Sequence, residues 1–360
     1  MAKPPGARHI EIDKPFSLEL GGVLPRLEVA WESWGTLNSA RDNAILVCPA
    51  FSAHCHAKSS TEDPSAGWWE RMIGPGAPLD TDRYFVLCAS LLGGCHGTSG
   101  PLSLGPDGGA AYEGRFPLVT IGDQVRAHLA LVDHLGISCL YAACGGSMGA
   151  MQTLEMGLHH AERLRRVIAI SGTDRTRPAT AAIRHLGRRA IMLDPRFNDG
   201  MYGEKPPIAG LELAREIGTV FYRSQEEFNH RFAWEPAYRP SLDGPTFEVQ
   251  SYLLHQGKKI LRSFDSNAYL RLSLAMDLHD IERQGTPLAQ LAAQVDNSYL
   301  IGGVTEDRLI TIEEQKAVRD GLLQGGAHVE WFEISSAVGH DAFLVDVDAV
   351  GRFIAAFLES

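Results

Sequence analysis

Long apolar runs are missing from this chain of 360 residues. Nowhere do roughly 18 apolar residues follow one another, which is the length that a membrane-spanning helix needs. The first residues, MAKPPGARHIEIDK, also lack the apolar segment of a secretory signal. We therefore expect a cytoplasmic protein that does not interact with membranes.

Clustered positive charge is missing as well. No five consecutive residues are basic, and the formal net charge is -11. Proteins that bind a nucleic-acid backbone neutralise its phosphates with grouped lysine and arginine side chains. Nucleic acid is therefore not an expected partner.

The sequence contains no CxxC pair, and its six cysteines all lie in the first half, several of them inside apolar runs such as AILVCPA. A chain of this length has enough core to fold without disulfides. We expect buried free thiols and no metal site. The cysteines are Cys48, Cys55, Cys88, Cys95, Cys139 and Cys144.

What the sequence does contain is the composition of a globular protein, with 44% hydrophobic and 21% charged residues. Short apolar β-rich segments alternate with helical patterns, of which residues 120–137 give a clear amphipathic example. Such alternation predicts an α/β fold with a mostly parallel, doubly wound sheet. The predicted strands cover residues 43–48, 83–90, 140–146, 166–172, 297–303 and 328–334.

The strand pattern is interrupted in the second half of the chain, where long helical patterns replace it. We predict a helical cap, or lid, at residues 173–293, inserted into a core formed by residues 1–172 and 294–360. The helical patterns in the insertion cover residues 180–193, 210–222 and 246–264.

A G-x-S-x-G motif, Gly-Gly-Ser-Met-Gly at residues 145–149, follows an apolar strand and precedes a helical pattern. This is the context of the nucleophile elbow in the α/β-hydrolase fold, where a tight turn holds the serine hydroxyl above the sheet. Ser147 is therefore the predicted nucleophile. The N–H of Met148, at the start of the helix, and that of Phe51, in the loop after the strand at 43–48, are the predicted oxyanion donors.

In this fold an acidic residue and a histidine follow the serine in that order. Asp307 comes after the predicted strand at 297–303, with the adjacent Glu306 as the alternative acid. His340 comes after the strand at 328–334 and is the predicted base, with the acid fixing its tautomer. Three other histidines lie on loops but precede the serine, which this order disfavours: His54, His56 and His96.

Beyond the elbow, several motifs resemble those of the homoserine O-acetyltransferases and their homoserine and serine O-succinyltransferase relatives. The similarity extends over nearly the whole chain and keeps the motif order of the family. The motifs are VAWESWGTLN (29–38), GWWERMIGPGAPLDTDRYFV (67–86), LLGGCHGTSGP (91–101), CGGSMGAMQ (144–152) and VGHDAFLVD (338–346).

The resemblance implies an acyl-CoA-dependent O-acyltransferase that works by a ping-pong mechanism. Acetyl-CoA or succinyl-CoA, as co-substrate, would acylate Ser147, and the hydroxyl of L-homoserine or L-serine would then take the acyl group. No bound cofactor is implied. The resemblance further implies a homodimer formed through the cap and a role in methionine or cysteine biosynthesis.

The resemblance also assigns three substrate-binding residues. Arg215 corresponds to an arginine that holds the acceptor's α-carboxylate, and a guanidinium suits that group because it can bind both oxygens. Asp341 corresponds to an aspartate that faces the α-ammonium group. Arg184 matches an arginine that meets the second carboxylate of a succinyl group.

Two features keep the reaction open at this point. The segment FSAHCHAKSSTEDPS (51–65) differs from the shorter loop of typical homoserine acetyltransferases and is similar to that of the serine-acylating and succinyl-using relatives. The same triad also serves serine esterases and thioesterases, which deliver the acyl group to water. An esterase, and a relative that only binds, are therefore the alternatives.

Overall fold

A computed structural model describes residues 4–106, 108–235 and 247–360. Its centre is an eight-stranded sheet with the spatial order β1-β2-β4-β3-β5-β6-β7-β8. Strand β2 is antiparallel to both β1 and β4, and each remaining neighbouring pair is parallel. The strands are β1 (Arg8–Ile12), β2 (Leu27–Trp34), β3 (Ala44–Cys48), β4 (Phe85–Ala89), β5 (Leu140–Gly146), β6 (Leu164–Ile170), β7 (Ser298–Val304) and β8 (His328–Ile334).

Helices surround this sheet, and small elements connect them. The helices are α1 (Ile121–His134), α2 (Met148–His159), α3 (Pro178–Leu193), α4 (Ile208–Tyr222), α5 (Gln225–Arg231), α6 (Glu248–Ile260), α7 (Ser266–Asp277), α8 (Leu288–Ala292), α9 (Ile312–Gln324), α10 (Ala342–Val345) and α11 (Val347–Glu359). Short 3-10 turns cover Glu113–Arg115, Ala161–Arg163, Asn198–Gly200 and Gly339–Asp341. Two short ladders pair Phe16–Ser17 with Val23–Leu24 and Ile73–Gly74 with Leu79–Asp80.

The core has two layers because successive side chains of a strand point to opposite sheet faces. In β3, Leu46 packs in the layer that contains α1, α2, α8 and α9, whereas Ile45 and Val47 pack in the layer that contains α11. All five residues of β3 are buried. A strand buried on both faces appears in sequence as an unbroken apolar run, which is why the pattern at 43–48 predicted it correctly.

Helix α1 shows how local sequence sets an element's start. The Thr120 side chain accepts a hydrogen bond from the N–H of Asp123, whose carboxylate accepts one from the N–H of Thr120. This capping box satisfies two N–H groups that a helix start otherwise leaves unpaired.

The strand order and the parallel pairings confirm the α/β fold and the mostly parallel sheet that the sequence predicted.

Between β6 and β7 the described residues form six α-helices, α3 to α8. Helix α3 packs on α4 and α7, and α4 packs on α6. Helix α8, near the end of the predicted insertion, packs instead on α9 and α2 of the core. The insertion limits of 173 and 293 stay a prediction, and residues 236–246, which include one end of the predicted helix at 246–264, lie outside the described residues.

Two strands, β1 and β2, are absent from the sequence prediction. Strand β2 is largely buried yet contains the acidic residue Glu32, so its sequence does not look like a core strand. The carboxylate is compensated by His56, whose Nδ1 lies 2.9 Å from Glu32 Oε2. That partner is distant in sequence, so the pattern alone cannot show it.

The cysteines are free thiols, as the sequence predicted. All six cysteines are free, five of them buried and Cys139 partly exposed. No helix in the part of the chain that the structure describes is both long and apolar enough to cross a membrane.

Candidate active site

The turn between β5 and α2 places Ser147 in a strained backbone conformation, with φ 56° and ψ -119°. The turn is possible because glycines flank the serine. A Cβ on Gly149 would lie 2.2 Å from the carbonyl oxygen of Cys48, and one on Gly145 would lie 2.6 Å from the carbonyl carbon of Gly149. Neither position has room for a side chain. The predicted strand–turn–helix context of the motif is therefore present.

The structure brings together the three residues of the predicted triad. His340 Nε2 lies 2.7 Å from Ser147 Oγ, and His340 Nδ1 lies 2.7 Å from Asp307 Oδ2. Asp307 follows β7, and His340 lies in the 3-10 turn after β8. All three residues are buried. A serine, a histidine and an acid linked in this order form the arrangement that activates a serine hydroxyl.

Backbone and side-chain donors fix the Asp307 carboxylate. Its Oδ1 accepts hydrogen bonds of 2.9 Å from the N–H groups of Leu309 and Ile310, and Oδ2 accepts a 3.3 Å bond from Gln315 Nε2. These contacts leave Oδ2 directed at the imidazole. The carboxylate therefore holds His340 with Nδ1 protonated and Nε2 free to accept the serine proton.

The alternative acid, Glu306, points elsewhere. Its carboxylate accepts hydrogen bonds from Ser335 Oγ at 2.6 Å and from the N–H of Ser336 at 2.7 Å. Those contacts hold the Glu306 carboxylate against the first residues of the loop that follows β8. The geometry therefore favours Asp307 over Glu306 as the partner of His340.

Burial and charge act in opposite directions on His340. Burial lowers the pKa of the imidazole, but the charge of Asp307 and its hydrogen bond raise it by more, so the pKa of His340 lies above its ordinary value. Because of its raised pKa, the neutral imidazole of His340 is a stronger base toward the Ser147 proton. It also becomes protonated, and inactive as a base, at a higher pH than an ordinary histidine.

This shift predicts the pH dependence of serine acylation. We expect the acylation rate to rise with pH through a midpoint above about 6.5, the ordinary imidazole value, because His340 must be neutral to accept the proton. The measurement is a single-turnover rate of thiol release from an acyl thioester between pH 5 and 9, without acceptor. A midpoint below 6.5 would contradict the argument.

The two predicted oxyanion donors lie at the ends of adjacent strands. Helix α2 begins at Met148, so the N–H groups of its first turn have no acceptor within the helix. Phe51 lies in the loop after β3, which pairs with β5 at Cys48 and Gly145. Phe51 and Ser147 line the same cavity. The arrangement suits an anion beside Ser147, and the donor roles stay a prediction.

All three predicted substrate-binding residues, Arg184, Arg215 and Asp341, lie in the wall of that cavity. The Arg215 guanidinium lies 5.4 Å from the ring centre of Tyr222. Asp341 Oδ2 lies 3.4 Å from Arg223 Nε. The cavity thus contains positive and negative groups close to the triad.

Arg184 is buried and already hydrogen-bonded. Its Nε lies 2.5 Å from Asp277 Oδ1, and its Nη2 donates to Thr176 Oγ1 at 2.8 Å. Arg188 Nη1 lies 2.5 Å from the other oxygen, Asp277 Oδ2. Two guanidinium groups therefore share one carboxylate, which leaves net positive charge at this end of the cavity.

Sequence reasoning missed much of the cavity wall. Tyr222 follows Arg215 by two helical turns of α4, so helix periodicity together with the predicted role of Arg215 gave a signal for it. No comparable signal existed for the residues from α3, α7 and the β7 loop. The cavity residues not predicted from sequence include Ile183, Ile217, Tyr222, Tyr269, Met276 and Leu309.

The three earlier histidines lie together away from the triad. The rings of His54 and His96 lie 4.6 Å apart, and His56 pairs with Glu32. They line a separate cavity. Within residues 4–106, 108–235 and 247–360, no group of three or more histidine, cysteine, aspartate or glutamate residues is arranged to hold a metal ion.

The fold and the Ser–His–Asp arrangement together define an α/β hydrolase. Consistent with this class, the family model described as alpha/beta hydrolase fold matches residues 43–313. A serine O-succinyltransferase from Stenotrophomonas maltophilia (strain K279a) is 41% identical, over 99% of this chain and 98% of that protein. A homoserine O-acetyltransferase from Carboxydothermus hydrogenoformans is 40% identical, over 96% of this chain and 93% of that protein.

Solved structures with the same fold include an acetyltransferase and an esterase. The homoserine O-acetyltransferase from Bacillus anthracis superposes with a TM-score of 0.91 at 27% identity, covering 98% of both chains. Esterase E22 superposes with a TM-score of 0.90 at 30% identity, covering 98% of this chain and 99% of that one. The chain belongs to the homoserine O-acetyltransferase and serine O-succinyltransferase family of α/β hydrolases.

Proposed function

We propose that this protein is an acyl-CoA-dependent O-acyltransferase that acylates the hydroxyl of L-homoserine or L-serine through a covalent acyl-Ser147. The observation that carries the proposal is the cavity wall, where the Ser147–His340–Asp307 arrangement lies beside Arg215, Arg184 and Asp341. An esterase that hydrolyses an uncharged ester needs the triad and the oxyanion donors, but no charged groups beside them. The charged groups supply contacts that suit a zwitterionic acceptor.

In the first half of the reaction, Ser147 Oγ attacks the thioester carbonyl carbon while its proton passes to His340 Nε2. The N–H groups of Met148 and Phe51 stabilise the oxyanion of the tetrahedral intermediate. The carbon–sulfur bond then breaks, His340 gives its proton to the leaving sulfur, and CoA departs as the thiol. The acyl group remains on Ser147.

In the second half, the acceptor hydroxyl loses its proton to His340 Nε2 and attacks the acyl-serine carbonyl. The ester bond to Ser147 breaks, and His340 returns the proton to Ser147 Oγ. Binding of the acceptor by its α-carboxylate on Arg215 and its α-ammonium on Asp341 would place the hydroxyl at the acyl-enzyme. That placement gives the amino acid its advantage over water.

The charge around Arg184 favours an anionic acyl group. Arg184 and Arg188 together carry two positive charges against the single negative charge of Asp277. A buried excess of positive charge is costly, and a second carboxylate on the acyl group offsets that cost. Among the two donors, the structure therefore favours succinyl-CoA, whose free carboxylate can approach Arg184.

A matrix of acetyl-CoA and succinyl-CoA against homoserine and serine tests the proposal. We expect CoA release to accelerate at least tenfold when the correct acceptor is added, because the acyl-enzyme otherwise waits for water. Free-thiol detection measures the release, and mass spectrometry identifies the O-acyl amino acid. Alanine serves as control acceptor, since it has the same α-groups without a hydroxyl.

Release that is equally fast with and without acceptor would contradict the proposal and favour a thioesterase. That second function is supported by the triad, which works equally well with water, and by the similarity to esterase E22. Acyl-enzyme that forms but transfers to neither amino acid would leave the serine chemistry intact and exclude these acceptors.

The proposed homodimer would use the exposed apolar side chains of the cap helices. Leu193 at the end of α3 is 68% exposed, and Leu186, Leu213 and Leu254 are about half exposed. Apolar side chains on neighbouring helices of one insertion favour burial against a second copy. The homodimer and the assignment to methionine or cysteine biosynthesis stay predictions.

A further inference from the structure

A buried side-chain amide links the two segments that carry the proposed oxyanion donors. Gln152 lies in α2, and none of its side chain is exposed. Its Nε2 donates hydrogen bonds of 3.1 Å to the carbonyl oxygens of both Pro49 and Met148. One nitrogen therefore holds the start of the β3 loop and the start of α2 at a fixed separation.

These two carbonyl groups lie close in sequence to the proposed oxyanion donors, the N–H groups of Phe51 and Met148. Pro49 is two residues before Phe51, and Met148 itself carries the other proposed donor. The same segments also touch through their backbones, because a Cβ on Gly149 would collide with the Cys48 carbonyl oxygen. A contact this close transmits a small displacement of either segment directly to the other.

The Oε1 atom of Gln152 indicates that a contribution to folding stability does not by itself explain why glutamine occupies this position. Its Oε1 is buried and makes no hydrogen bond to any group among the described residues. A buried acceptor without a partner destabilises the folded state. An apolar side chain of similar length would avoid that cost, so the two donated bonds are the property that glutamine uniquely contributes here.

We infer that Gln152 is a positioning residue for the oxyanion hole, which sets the distance between the N–H groups of Phe51 and Met148. It does not touch the substrate. Its effect is exerted in the transition state, when negative charge develops on the carbonyl oxygen and both donors must reach it. The inference deepens the proposed function and rests on the acyl-serine step of that function.

The test compares Gln152→Met with Thr153→Val. Methionine keeps the length of glutamine and removes both donated bonds. Thr153 is the matched control because it is equally buried in α2 and its hydroxyl donates to the carbonyls of Ala150, within α2 itself, and Ile168 in β6. Neither bond reaches the loop after β3. Both variants lose buried hydrogen bonds, but only one loses the link between the segments.

We expect Gln152→Met to slow acylation of Ser147 by p-nitrophenyl acetate by about 10- to 100-fold, since small misplacement of catalytic groups has effects of that size. The KM should change by less than threefold, and the pH midpoint should stay that of the wild type. Binding of a trifluoromethyl ketone, whose adduct places an oxyanion in the same hole, should weaken in parallel. Thr153→Val should acylate at the wild-type rate per folded molecule.

A Gln152→Met protein that acylates within threefold of the wild type and binds the ketone normally would overturn the inference. Gln152→Glu, which preserves size, is the second variant if the methionine variant does not fold, and the same criteria apply to it. A wild-type protein that never acquires an acyl group on Ser147 would instead defeat the proposed function. The two failures are therefore distinguishable.

Discussion

Replacing Ser147 with alanine should lower kcat for acyl transfer by about 10⁶-fold, because loss of the nucleophile of such a triad removes nearly all of the covalent route. The expected direct evidence is mass spectrometric. Incubation with the acyl-CoA donor should add one acyl mass to the wild type and none to Ser147→Ala.

Ser171→Ala is the matched control for this experiment. Ser171 is buried directly after β6, and its hydroxyl makes no hydrogen bond to any group among the described residues. Its removal should leave acyl labelling intact. Labelling that persists in Ser147→Ala would show that another residue is the nucleophile, and a wild type without label would favour a relative that only binds.

Replacing Asp307 with asparagine should lower kcat by about 10⁴-fold while leaving the fold intact, since an amide of the same shape favours the wrong imidazole tautomer. The buried carboxylate accepts from two backbone N–H groups and from His340. An amide in its place can keep part of this network, but it does not supply the negative charge. Steady-state kinetics and thermal unfolding measure the two effects.

Glu306→Gln is the control that separates the adjacent acids. Glu306 accepts hydrogen bonds from Ser335 and Ser336, and it forms neither a hydrogen bond nor an ion pair with His340 in the described part of the chain. The kcat of the Glu306→Gln protein should therefore stay within a few-fold of the wild-type value. The opposite ranking, with the glutamine variant inactive and the asparagine variant active, would assign the acid to Glu306.

The sequence predicted those parts of the site that depend on local order along the chain. The turn at Ser147 needs glycines at fixed positions, and the acid and histidine must follow later strands, so chain order located His340 and placed the acid at Glu306 or Asp307. The choice between Glu306 and Asp307 could not be made in this way. It depends on which carboxylate meets the imidazole, and that is set by the loops after β7 and β8.

Contacts between distant segments account for most of what the sequence did not show. Arg184 lines the cavity, but the sequence does not show that its Nε is bound to Asp277, 93 positions away. Similarly, the sequence offers no sign that Arg223 approaches Asp341. Such pairs form only when helices of the insertion pack against one another and on the core, and no local pattern encodes that packing.

The hydroxyl–imidazole contact joins residues that are 193 positions apart. Closing a chain loop of that length costs conformational entropy that only the packed sheet and helices repay. Nothing smaller than the nearly completed core can therefore keep the nucleophile next to its base. Partly folded chains should not react with thioesters. Ser147 becomes a nucleophile only in molecules in which β8, the strand before His340, has joined the sheet.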